Sequence, residues 1–297
     1  MDTDYLITRE QLQHLLHEVL ELTDDDMSLL QTNRLQFLHK LNKAYEQSIP
    51  FQNLSFTCVP FAERHMPTMQ ENIDNVISGI GGLCWTLNSV LFVILKELGF
   101  DALLISGSIV DENRAPHVMV LVSNVDKTEA TFLMDVGFAA PAHDPIPLDF
   151  AGESPQYNVA HLVLRWVKRG DQYIRQELYH SENGYRVGEP EGEWEPTVIF
   201  TLHSRSWSVI KGLLEKKVFA CKDSMLNGAR MIIGKSKSTN KFVQIVNLKM
   251  KKEENGRTLQ KVLLQDDKAV VLACKEHFPN FPLSILCKSY QIWQLTD

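Results

Sequence analysis

Near residue 100 the apolar residues of this chain change period, and that change limits the fold more than any other feature. Before it they recur every three to four residues, the spacing of amphipathic helices. After Ala102 they come in short runs rich in β-branched residues, the pattern of strands. A chain that is helical first and β-rich afterwards belongs to the α+β class. At 297 residues it exceeds what a single core usually organises, so two or three tightly packed units are expected.

The helical part opens at Thr8-Arg9-Glu10-Gln11, which has the form of a capping box, followed by Leu12, Leu15, Leu16, Val19 and Leu20 on one face. After an acidic turn at Asp24-Asp25-Asp26, a second helix is expected with Leu35, Leu38, Leu41 and Tyr45 on one stripe, broken by Pro50. The breaker cluster Gly79-Ile80-Gly81-Gly82 then precedes Cys84, Leu87, Leu91, Leu95 and Leu98, so Cys84 opens a helix that ends near Gly99.

Leu103 to Ile109, Val118 to Val122 and Thr131 to Met134 read as neighbouring antiparallel strands. Pro141, Pro145 and Pro147 mark a loop, and His161 to Val167 and Tyr173 to Tyr179 flank Lys168-Arg169-Gly170-Asp171 as a hairpin. Beyond Pro196 comes a serine-rich stretch, then strands at Met231 to Gly234 and Lys241 to Val246, a solvated charged turn from Lys249 to Glu254, and a helix from Asp267 to Phe278.

A formal charge of −7 argues against a nucleic-acid binder, which gathers positive charge against phosphates. The start, Met1-Asp2-Thr3-Asp4-Tyr5, lacks a signal-peptide pattern, and no apolar run is long enough to span a bilayer, so a cytoplasmic protein without membrane contact is expected. Cys58, Cys84, Cys221, Cys274 and Cys287 are odd in number and irregular in spacing, which points neither to a disulfide framework nor to a metal site.

Context singles out one of these thiols. Gly81-Gly82-Leu83-Cys84 sets Cys84 at the first turn of a helix, where unpaired N–H groups and the dipole favour a thiolate and the bare glycine backbone admits an acyl group. His117 stands at the mouth of the apolar strand Val118 to Val122, a rigid place for a base. Asp135 lies in the apolar run Phe132 to Phe138, where a carboxylate is costly unless paired, and an imidazolium would pair it. Nucleophile, base and orienter follow one another as in Cys-His-Asp thiol enzymes. A core histidine and a turn-forming aspartate are the alternatives for His117 and Asp135.

These residues resemble the arylamine N-acetyltransferase family. Ile49-Pro50-Phe51-Gln52-Asn53-Leu54 is similar to its IPFENL signature and Gly81-Gly82-Leu83-Cys84 to its RGGxC loop. His117 with its strand, and Asp135-Val136-Gly137-Phe138, resemble its histidine strand and DVGFG segment. The resemblance implies an N-terminal helical bundle (1–100) carrying the nucleophile, a central antiparallel, barrel-like β domain (101–210) carrying histidine and aspartate, and a C-terminal α/β lid (211–297), around a cysteine-protease-like Cys-His-Asp core.

It also implies a ping-pong acyl transfer. Acetyl-CoA or another acyl-CoA acylates Cys84, and an arylamine, hydrazine or hydroxylamine takes the acyl group. No metal or permanently bound cofactor is needed, and a monomer is expected. Trp207 and Ser208, in Ser204-Arg205-Ser206-Trp207-Ser208, are donor-site candidates; Pro116, Gly137 and Phe138 are candidates for substrate contact.

The departures are Gln52 where the family has Glu, Ile80 where it has Arg, Ala139 in place of the last glycine, and Thr86 where relatives carry Gln or Glu. Loss of both ion-pair members together suggests support rebuilt from apolar packing. Three other readings use the same residues: a thiol hydrolase of papain or transglutaminase type, an amide-forming synthase, and a catalytically silent binding module.

Overall fold

The computed structural model describes residues 7–109, 116–125, 130–139, 144–159, 162–178, 192–220, 229–254 and 257–292. The expected positions Pro141, His161, Tyr179 and Cys221 lie outside the described residues. Helices α1 (Arg9–His14, continued by a wider turn at Leu15–Val19), α2 (Asp24–Thr32) and α3 (Arg34–Ser48) open the chain. The Thr8 capping box forms as expected. The acidic residues behave differently: Thr23 caps Asp26, so Asp24, Asp25 and Asp26 are the first turn of α2 and not a connection, which suits carboxylates at a positive dipole end.

The short strand β1 (Phe51–Gln52), α4 (Leu54–Thr57) and α5 (Met69–Ile77) follow, and α6 (Cys84–Glu97) begins at Cys84. Gly99, at φ +75°, ends α6. Then come β2 (Asp101–Ile109), β3 (His117–Ser123), β4 (Phe132–Met134), β5 (Ile146–Pro147), β6 (Tyr157–Val159), β7 (Leu162–Arg169), β8 (Gln172–Leu178) and β9 (Trp194–Thr201). They form an eight-stranded antiparallel sheet ordered β5-β4-β3-β2-β9-β8-β7-β6. Pro147, expected in a loop, pairs with Phe132 on the edge strand, where a missing N–H is tolerated.

The serine-rich stretch holds two corrections. Pro196 lies inside β9 beside a break in register, and Trp207–Leu214 is a helix, α7, whose N-cap is Ser206. In the C-terminal part, β10 (Met231–Lys235), β11 (Phe242–Val246), β12 (Lys249–Glu254) and β13 (Arg257–Leu263) are antiparallel, followed by α8 (Asp267–His277) and α9 (Leu283–Ser289). The expected charged turn at Lys249 to Glu254 is therefore a strand. Met250 faces the core and the sheet buries Glu253, which a solvated turn would not do.

Three cores follow from this order. Helices α1, α3, α5 and α6 and one face of β3 (Val118, Val120, Val122) form the first, which also takes in Trp207, Ile210 and Leu214 of α7. The opposite face of β3 (Met119, Leu121) joins Trp166, Tyr173 and Phe200 in the second. The third lies under α8 and α9 and includes Leu54. Residue 210, the expected end of the second unit, falls within α7, and β1 pairs with β10 in the C-terminal sheet, so the chain segments interlock.

Candidate active site

The N-terminal end of α6 meets strands β3 and β4 because both sheet and helix are apolar there and bury each other in the first core. This brings Cys84, His117 and Asp135 together. His117 Nε2 lies 2.7 Å from Asp135 Oδ2, with both residues buried, and Cys84 is close enough to the imidazole to act on its charge. Burial alone would push His117 down, but the Asp135 charge and hydrogen bond, with the Cys84 contact, outweigh it and raise it to about 10. Burial would raise Asp135, yet the imidazole, Asn88 and the Arg175 charge hold it below the ordinary carboxylate value.

Asn88, one turn after Cys84, is not among the residues that the sequence patterns single out. Its Nδ2 donates to Asp135 Oδ1 at 2.9 Å and to the Val118 carbonyl at 2.7 Å, and its Oδ1 accepts from the Val136 N–H at 3.0 Å. One buried amide thus ties the cysteine helix to both strands. The signal was a polar residue four places after Cys84 on the apolar stripe of α6. Nor do those patterns single out Arg175 of β8, because nothing local links a strand arginine to this site.

Gly137 is needed for close approach: a Cβ there would sit 2.6 Å from Asn88 Nδ2 and 2.8 Å from Cys84 Cα. Its N–H donates to Asp135 Oδ1 at 3.2 Å. The Phe138 ring stands at 79° to the His117 ring, centroids 4.9 Å apart. Pro116 is half-buried directly before His117. Trp207 packs into the first core, and the Ser208 hydroxyl meets Ser206 on an exposed helix turn.

The loop before Cys84 is shaped by the Pro50 to Leu54 segment. Gly81, at φ +72°, approaches so closely that a Cβ would lie 2.1 Å from the Pro50 carbonyl oxygen. The Gln52 N–H donates to the Gly82 carbonyl at 2.9 Å. Gln52 is fully buried, donating to Ser55 Oγ at 2.8 Å and accepting from the Ser55 N–H at 3.0 Å, while Ile80 packs against the third core. The support that lacks a Glu–Arg pair is thus half apolar, as expected, and half a neutral hydrogen-bonded amide. Asn53 accepts from the Met231 N–H and donates to the Ala229 carbonyl, fastening the C-terminal sheet to this loop. Thr86 donates to Asn72 Oδ1 at 2.7 Å. A cavity of about 290 Å³ lies beside this turn, lined by Gln52, Ser55, Phe56, Arg64, Trp85 and Thr86 among others.

The sequence profile of the N-acetyltransferase family matches residues 34–280. This chain belongs to that family. An arylamine N-acetyltransferase of Mycolicibacterium smegmatis is 29% identical over 177 residues, 57% of this chain and 58% of that enzyme, so the match spans little more than half the relative's length. The proansamycin X synthase of Amycolatopsis mediterranei is 24% identical over 241 residues, 78% of this chain and 86% of the synthase. The CoA complex of the Mycobacterium marinum arylamine N-acetyltransferase shares the fold with TM-score 0.70 at 19% identity, covering 93% of this chain and 97% of that one. The α+β architecture and the family resemblance are thereby established for this N-acetyltransferase family member. No helix among its described residues is long and apolar enough to cross a membrane.

Proposed function

We propose that the chain is an acyl-CoA-dependent N-acyltransferase that carries an acetyl or related acyl group on Cys84 and passes it to an arylamine, hydrazine or hydroxylamine. The observation that carries this reading is the contact of Cys84, at the first residue of α6, with an imidazole whose other side is held 2.7 Å from Asp135. An imidazole next to a cysteine sulfur is the base that a thiol nucleophile requires.

The sulfur attacks the thioester carbonyl, and N–H groups of the first helical turn can stabilise the oxyanion. As the tetrahedral intermediate collapses, the C–S bond to CoA breaks and His117 gives its proton to the leaving thiolate. The amine then attacks the Cys84 acyl carbon and His117 takes its proton; the C–S bond to Cys84 breaks, which releases the acylated acceptor and regenerates the thiolate. Asp135 keeps the imidazole oriented, with Asn88 holding Asp135. Gly137 abuts the Cys84 backbone and Phe138 the imidazole, which supports them as acceptor-side contacts, next to Pro116. Trp207 and Ser208 keep only a donor-side proposal through Ser208, since Trp207 is packed in the core.

The proposal places the nucleophile in 1–100, base and orienter in 101–210, and a covering unit in 211–297, in a cytoplasmic monomer. Acyl-CoA is its co-substrate and no metal takes part. A second reading, an amide-forming synthase that releases a tethered acyl chain, is favoured by the longer alignment with proansamycin X synthase. Incubation with acetyl-CoA and no acceptor, followed by intact-mass spectrometry, separates the two. One added acetyl group, absent in Cys84→Ser and discharged by an arylamine or hydrazine, is the expected result. No adduct with acetyl-, malonyl- or longer acyl-CoA esters would overturn the CoA-dependent reading.

A further inference from the structure

We propose that Arg175 is a positioning residue of this site, seating the His117 imidazole through the Phe138 ring on which its guanidinium stacks. The inference deepens the acyl-transfer reading and rests on it for the identity of the reaction. Arg175 lies in the middle of β8, far from the cysteine motif in sequence, and its side chain is only 4% exposed.

Its guanidinium carbon stands 4.1 Å from the centre of the Phe138 ring, a stacking distance. The head group also donates to Thr197 Oγ1 at 2.9 Å and pairs with the Glu177 carboxylate. A buried arginine costs several kcal/mol unless it is paired, and Glu177 supplies that pairing. The ion pair does not by itself require the guanidinium to lie on the ring that abuts the imidazole. Phe138 is thus held between a fixed plane and His117, whose ring it meets at 79°. A break in register between β8 and β9 falls at Arg175 and Gln176, the kind of irregularity that re-aims side chains beside functional sites.

Among the described residues, the charged and titratable groups that act on Asp135 include His117 from β3, Cys84 of α6 through its effect on His117, and Arg175 from β8 with Glu177 at its side. Asn88 adds a neutral donor. The Arg175 charge favours ionised Asp135, and an ionised Asp135 favours the imidazolium that faces the sulfur. Losing that charge should move the pH at which the site fails on acidification upward.

Two variants separate the roles. Arg175→Lys keeps the charge and loses the planar fork, while Arg175→Met loses both. The rate of Cys84 alkylation by iodoacetamide, followed against pH, needs no acyl-CoA. It therefore reports on Arg175 even if the wild-type protein forms no acyl adduct, which would count against the acyl-transfer reading alone. In Arg175→Met the acid limb of alkylation should shift to higher pH, and kcat for acyl transfer should fall about 10- to 100-fold with KM little changed. Arg175→Lys should keep the limb and lose kcat. Variants with a wild-type limb and kcat, whatever their Tm, would overturn the proposal, and so would a wild-type kcat in Arg175→Lys if Arg175→Met does not fold.

Discussion

The first turn of α6 touches two polar networks, and only one of them is charged. On the side of β3 and β4, His117, Asp135 and Arg175 are ionisable and buried; His117 is hydrogen-bonded to Asp135, the Asn88 amide holds Asp135, and Arg175 stacks on Phe138. On the side of β1 and α5, the hydrogen-bonded groups that hold the loop are neutral: Gln52 with Ser55, Thr86 with Asn72, and Asn53 with the C-terminal sheet. Buried charge costs more than a buried amide, so its concentration on one side marks where protons move. The neutral side fixes the shape of the Gly81–Gly82 loop without competing for the protons of His117.

The strongest way to break the contrast is to remove the base. His117→Ala should lose about 10²- to 10⁴-fold in acyl transfer while the protein stays folded, measured by steady-state rates on protein checked by circular dichroism. The same variant tests the charged side through pH. Folded His117 holds its proton up to about 10, against an ordinary 6.5, so its share of stability is complete below pH 6.5 and fades as pH rises towards 10. Wild-type Tm should therefore drop over that window by more than the Tm of His117→Ala, and parallel curves would mean that the imidazole is neutral in the folded state.

A smaller effect comes from putting charge on the neutral side. Gln52→Glu places a carboxyl at a fully buried position, with an expected cost of about 3–5 kcal/mol at neutral pH. Burial raises such a carboxyl, so the deficit should be absent in acid, below its unfolded value, and grow as pH rises. Adding Ile80→Arg should return part of the loss, read as a positive coupling in urea melts. Strict additivity would show that the two positions do not support one another.

The smallest change sharpens the contrast from within. Thr86→Val removes the donor to Asn72 Oδ1 and leaves a buried acceptor unpaired, at about 1–3 kcal/mol. Activity per folded molecule should stay near wild type, because the hydroxyl only holds the loop. A large loss of kcat at unchanged stability would move Thr86 into the reacting machinery.

Much of this site could be read in one dimension. The glycine breakers and the helical stripe that starts at Cys84 are local, and so are the strands beginning at His117 and ending before Asp135; the structure has each of them within a residue or two. Alternation and capping act over three or four residues, which is why periodicity reveals them. The Lys249–Glu254 strand is not legible locally, because its lysines look solvated until β11 and β13 flank it and bury Glu253. Likewise α7 hid behind serines, although Ser206 is its cap.

The sequence by itself determined the α+β order, the helix start that presents Cys84, and the apolar setting that forces Asp135 to find a partner. Tertiary structure alone decided who that partner's neighbours are. Asn88, Phe138 and Arg175 come from α6, the segment after β4, and β8, up to 87 positions apart in the printed sequence, counting from Asn88 to Arg175. Their meeting depends on sheet order and on packing against a shared core, contacts between distant segments that no local pattern encodes.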